Sequence, residues 1–108
     1  MPTFDSTIKS AVVNFSSSGD NVIVASVAGQ LIQMVGILIV VGGATNITFK
    51  SGTGTPLSGA LPLTANGALI LDPVPNLVWY QTLTAANNLV INNSNAVQVS
   101  GTVYYKQA

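Results

Sequence analysis

The longest apolar run in the chain is Leu31 to Val41, LIQMVGILIVV, interrupted only by Gln33 and Gly36. Its β-branched content favours an extended conformation over a helix. At a period of two, one side carries Leu31, Val35, Ile37, Ile39 and Val41; the other carries Ile32, Met34, Leu38 and Val40. A strand with one solvated face alternates apolar with polar residues, so this one requires cover on both faces. In a chain of 108 residues one face meets the domain's own core, and a second subunit is expected against the other.

The remaining segments are shorter. Ile8 to Phe15 reads as a first strand with Ala11, Val13 and Phe15 on one side. Ser16 to Asn21 is built of turn formers. Val22 to Val27 is apolar on both faces, and the tight Ala28-Gly29-Gln30 connection predicts an antiparallel hairpin with the central run. In Thr45 to Lys50, Ile47 and Phe49 alternate with Asn46, Thr48 and Lys50, the pattern of a half-buried strand. Ser51 to Pro56 is a loop, and Pro62 restricts Leu57 to Leu63 to an edge. Asn66-Gly67 is a two-residue hairpin signal leading into Ala68 to Leu71, because both residues tolerate positive φ.

Asp72-Pro73-Val74-Pro75-Asn76 reads as a stiff turn or crossover. Leu77 to Leu83 is an aromatic strand with Trp79 and Tyr80 on opposite faces, and Leu89 to Asn92 is a short one. Ala96 to Lys106 closes the chain, with Val97, Val99, Val103 and Tyr105 facing inward and Gln98, Ser100, Thr102 and Tyr104 outward. Eight or nine short strands with no convincing helix point to an all-β sandwich or barrel; a jelly roll is the form that folds two sheets together. The sandwich domain is expected over residues 8–108, behind an N-terminal arm over residues 1–7.

Composition narrows the chemistry. Charged residues are 6% of the chain: Asp5, Asp20 and Asp72 against Lys9, Lys50 and Lys106, with no Arg, Glu, His or Cys. A free monomer ordinarily carries more surface charge, whereas a chain built into an assembly has much of its surface covered. Without His or Cys there is no imidazole base, thiolate nucleophile or zinc site of the usual ligand types. The three Asp are far apart in sequence and sit in or beside turns; a glycosidase-like pair among them stands against the simpler reading of Asx-type turns at Asp20 and Asp72. Asp20 with Asn21 and backbone carbonyls is a weak calcium candidate.

Gly52 and Gly54 lack the Lys and helix of a phosphate loop, and three lysines cannot neutralise a run of phosphates. No enzyme, cofactor, metal or nucleic-acid function is therefore expected. Neither is a membrane one: the apolar run stops at Gly42-Gly43, short of the roughly 20 residues of a spanning helix, and MPTFDSTIKS is not a secretory signal.

The order of the motifs carries a resemblance. Ser17-Ser18-Gly19-Asp20-Asn21 is followed by Val24-Ala25, Val27-Ala28-Gly29 and Ile47-Thr48-Phe49-Lys50-Ser51-Gly52-Thr53. Then come Leu57-Ser58-Gly59-Ala60-Leu61-Pro62-Leu63, Ala65-Asn66-Gly67, Trp79-Tyr80-Gln81-Thr82, Val99-Ser100-Gly101-Thr102-Val103 and Tyr105. Over residues 16–106 this resembles the small jelly-roll proteins of tailed bacteriophages that sit on the capsid as trimeric cement, or decoration, proteins. Relatives often carry basic residues after the position of Gly29, where this chain has Gln30-Leu31.

The resemblance implies a jelly-roll homotrimer, made in the host cytoplasm, that binds the major capsid protein on the outer surface of the virion without cofactor or small-molecule substrate. The trimer contact is expected at Leu31, Gln33, Val35, Ile37 and Ile39 with Val24, and the capsid contact at Pro2, Thr3, Phe4, Ile8 and Lys9. The alternative is a carbohydrate- or receptor-binding module of a phage tail or fibre, motivated by Trp79, Tyr80 and the Asn-rich loops.

Overall fold

The computed structural model describes residues 8–73 and 77–108. The expected contacts at Pro2, Thr3 and Phe4, and the middle of the Asp72–Asn76 crossover, lie outside the described residues. Among those described there are ten strands and no helix: β1 (Lys9–Phe15), β2 (Gly19–Val24), β3 (Ile32–Val41), β4 (Thr45–Ser51), β5 (Thr55–Pro56), β6 (Leu61–Leu63), β7 (Ala68–Leu71), β8 (Tyr80–Gln81), β9 (Leu89–Asn93) and β10 (Val99–Gln107). They form two antiparallel sheets packed as a sandwich. Sheet I runs β1-β10-β3-β7, with β8 on the free end of β3; sheet II runs β2-β9-β4-β5, with β6 also on β4. The count exceeds the expected eight or nine by two-residue strands such as β5 and β8.

One pairing scheme accounts for the topology. β1 pairs with β10, β2 with β9, β3 with β7 and β4 with β6, so the first half of the chain is matched in reverse by the second. This long antiparallel ribbon is rolled until β10 also pairs with β3 and β9 with β4. That is the strand order of a jelly roll. Consecutive strands therefore alternate between sheets, and two expectations are corrected. β2 and β3 are not a hairpin: the Ala28-Gly29 turn, closed by the Val27–Gln30 bridge, carries the chain from sheet II to sheet I. Asn66-Gly67 does make a turn, with Asn66 at φ 64°, but it links β6 of sheet II to β7 of sheet I. It is anchored on the end of β3, where Asn66 N–H donates to the Val41 carbonyl and Val41 N–H to that of Gly67.

Alternation explains most of the core. Val13 from β1, Ile47 and Phe49 from β4, Leu89 and Ile91 from β9, and Val99 and Val103 from β10 are buried together. Each large side chain removed from water in this way contributes about 1.5–3 kcal/mol before entropy is counted. The aromatic pair splits as the sequence implies: Tyr80 stacks on Phe49, ring centroids 4.9 Å apart, while Trp79 stands outside.

On β3 strict alternation fails. The register with β10 slips between Tyr104, opposite Gly36, and Tyr105, opposite Met34, leaving one extra residue on β3. This bulge switches the inward set from Ile32 and Met34 to Ile37, Ile39 and Val41, all of which join the core. The sequence-based division, which grouped Ile32 and Met34 with Leu38 and Val40, is corrected by that one residue.

Buried polar groups are all partnered among the described residues. Thr45 Oγ1 donates to Asn93 Oδ1 at 2.6 Å, and Asn93 Nδ2 donates to the Val97 carbonyl at 3.1 Å. Ser51 Oγ accepts from Leu83 N–H and Asn87 Nδ2, and Thr82 Oγ1 accepts from Ile32 N–H. These bonds tie the loops to the strand ends, where an unpaired buried polar group would cost about 1–3 kcal/mol.

Candidate interaction surface

The two outer faces of the sandwich are chemically different. On sheet II, Asp20 of β2, Asn92 of β9 and Lys50 of β4 meet across three adjacent strands. Lys50 Nζ lies 3.0 and 3.1 Å from the Asp20 carboxylate oxygens and donates to the Thr53 carbonyl at 2.8 Å. Asn92 Nδ2 donates to Asp20 Oδ1 at 2.8 Å. The amide of Asn92 and the ammonium of Lys50 hold the Asp20 carboxyl below its ordinary value of 3.8, against a smaller desolvation effect.

The expectation that Asp20 serves an Asx-type turn is corrected, since its carboxylate bonds across strands; the local amide bonds, to the Ser17 and Gly19 carbonyls, come from Asn21. With a lysine ammonium on the carboxylate, Asp20 is engaged in an ion pair rather than turned toward a metal. Among the described residues no three His, Cys, Asp or Glu side chains gather.

On sheet I the outward side chains fall in rows set by register. Val12 of β1 lies opposite Thr102 of β10, Thr102 opposite Leu38 of β3, and Leu38 opposite Ile70 of β7. The next row is Asn14, Ser100, Val40 and Ala68. Val12 is 77% exposed, Ile70 61%, Leu38 45% and Val40 43%. Neither row contains a charged residue.

Part of this face is covered by the chain itself. After β7 the backbone returns over β3: Trp79 N–H donates to the Met34 carbonyl at 2.8 Å, and a Cβ on Gly36 would lie 2.7 Å from Pro73. Gly36 is needed at this close approach. Val35, between these contacts, is fully buried. Trp79 Nε1 donates to the Asp72 carbonyl and closes this strap on itself. Beyond Gly36 the outward side chains Leu38 and Val40 are left bare.

The expected trimer contact therefore needs correction. Val24, Val35, Ile37 and Ile39 are enclosed within the protomer, so none of them is available to a second copy in this fold. Leu31 is half-buried and exchanges backbone hydrogen bonds with Ala108, and Gln33 Nε2 donates to Gln81 Oε1 at 2.8 Å. Of the expected capsid contacts, Ile8 is half-buried before β1, and Lys9 is exposed with Nζ 2.8 Å from Gln107 Oε1. Sequence reasoning missed Val12 and Ile70, and placed Leu38 and Val40 on the wrong side. The signal was present as an apolar residue at an outward position of each of three strands; only the register joins them into a row. No protein-family model matches the chain, and no curated protein matches it in sequence.

Proposed function

We propose that this chain is a capsid cement protein, a structural virion component that binds the outer surface of a phage head as a trimer and bridges copies of the major capsid protein. The observation that carries this reading is the bare, uncharged apolar row on sheet I in a chain with six ionisable Lys and Asp side chains in all. Such a surface supports burial against another protein and offers nothing to a phosphate or a proton-transfer reaction. The motif order over residues 16–106 supplies the setting. A cement protein needs no catalytic group: it binds only the assembled shell and so shifts the equilibrium toward it. Several weak contacts made at once by a trimer multiply through effective concentration.

The test is to mix purified protein with isolated undecorated heads, sediment them, and compare band intensities with the major capsid protein. Binding that saturates at a fixed fraction of the capsid protein, on heads that then survive more heat, is the expected result. Absence of binding, or a handful of copies per head, would sink the reading. A second reading, a glycan-binding module of a tail or fibre, is favoured by Trp79, 38% exposed near the exposed Gln81 amide. Retention on a glycan array that is lost in Trp79→Ala, together with failure on heads, would move the assignment there.

A further inference from the structure

We infer that the outer face of sheet I is the surface through which copies of this chain associate, its occupant being a second copy of the same chain. This deepens the cement reading, on which its place in a trimer rests, and replaces the enclosed residues Val35, Ile37 and Ile39 with Val12, Leu38 and Ile70.

Strand β3 is apolar in both directions, and its outward side is covered along only part of its length. The Pro73–Trp79 strap seals the stretch at Met34–Gly36 from within the protomer. Leu38 and Val40 continue the same side of the same strand and are open. The row through Leu38 crosses sheet I from β1 to β7, three inter-strand spacings or roughly 14 Å. Its exposed side chains present on the order of 300–400 Å² of apolar surface, the size at which patches on monomers tend to be functional.

The choice of occupant follows from charge and area. Neither row carries an ionisable side chain, so two such faces meet without like-charge repulsion and without burying an unpaired charge. A partner recognised by charge has nothing to engage there. A stable interface needs about 800 Å² per partner, so the apolar row is its centre rather than its whole. Thr102, Ser100 and Asn14, interleaved with the row and beside it, are the neutral polar groups that a rim requires. The opposite face, with its Asp20–Lys50 pair, has neither property.

The test is sedimentation of the full chain at about 100 μM, where micromolar contacts are populated. The wild type is expected at a multiple of 11.1 kDa. Leu38→Lys, at an exposed position, is expected to raise the concentration of half-association by about 30-fold or more, as loss of an interface centre does. Asn46→Lys, exposed on sheet II, should associate as the wild type does. A monomeric wild type, or a Leu38→Lys variant that associates normally, would overturn the inference.

Should Leu38→Lys fail to fold, the absence of native cysteine provides a second measurement. Maleimide labelling of Val12→Cys and Ile70→Cys should slow as protein concentration rises, while Asn46→Cys labels at a constant rate. Equal behaviour at all three sites would also overturn it. The two readings fail separately: a monomer that binds heads removes this interface and keeps the cement role, and an oligomer that ignores heads does the reverse.

Discussion

The two outer faces of one sandwich solve the same problem in opposite ways. Each sheet must present something to its surroundings once the inner faces are buried. Sheet II presents Asp20, Lys50 and Asn92, whose hydrogen bonds across three strands are compatible with water. Sheet I presents Val12, Leu38 and Ile70 with neutral Thr102 among them. One face is finished by the chain's own side chains, and the other is finished only in part, by the strap over Gly36. Where a chain with so few charges spends its single well-formed ion pair is informative, because the other face has none to keep it apart from a partner.

The comparison is broken most sharply on β3, where adjacent residues point to opposite sides. Ile39→Ala should lower the unfolding free energy of the protomer by about 2–5 kcal/mol in a urea titration, because it opens a cavity between the sheets. Leu38→Ala, one residue away, should change it by about 0.5 kcal/mol or less when measured under monomeric conditions. Equal losses would mean that Leu38 is part of the core.

A smaller effect is expected where the strap meets the strand. Gly36→Val forces its side chain into Pro73 and should cost about 1–3 kcal/mol. Trp79 is the single tryptophan, so lifting of the strap should appear as a red shift in fluorescence. An unshifted spectrum would remove the strap's role in covering β3.

The smallest effect belongs to sheet II. The hydrogen bond from Asn92 and the charge of Lys50 depress the Asp20 pKa in the folded state. Its contribution to stability is therefore present above the unfolded value of 3.8 and lost as pH falls through the lower folded value. Asp20→Asn should cost about 0.2–1 kcal/mol at neutral pH, as a solvent-exposed pair does, and nothing once the carboxyl is protonated. Urea midpoints of the two proteins should converge on acidification and move closer in high salt. A difference that persists in strong acid would show that the carboxylate charge is not the source.

Much of the local structure was legible because one face of each outer strand is wet. The alternation of Thr45 to Ser51 and of Val99 to Tyr105 gave those strands and their inward sets. Pro62 marked an edge, and Asn66-Gly67 marked a turn. What a turn does not encode is which sheet receives the next strand. The hairpins expected at Ala28-Gly29 and Asn66-Gly67 failed for that shared reason, since in a rolled ribbon the partner of β2 is β9 and that of β7 is β3. The candidate surface was hidden more deeply. Strict alternation along β3 pairs Leu38 with Met34, and the bulge opposite Tyr104–Tyr105, for which the residues carry no local signature, separates them.

The nested pairing also sets an order in time. Joining β4 to β6 closes the shortest loop of the ribbon; β3 with β7, β2 with β9 and β1 with β10 then each close only a modest further length. Folding by this route zips from the middle of the sequence outward, and avoids bringing Lys9 to Tyr105 across an unstructured chain. The strands that meet last are the first to part. Amide hydrogens of Ala11 to Asn14 should therefore exchange with solvent sooner than those of Ile47 to Phe49, although both strands border equally buried side chains.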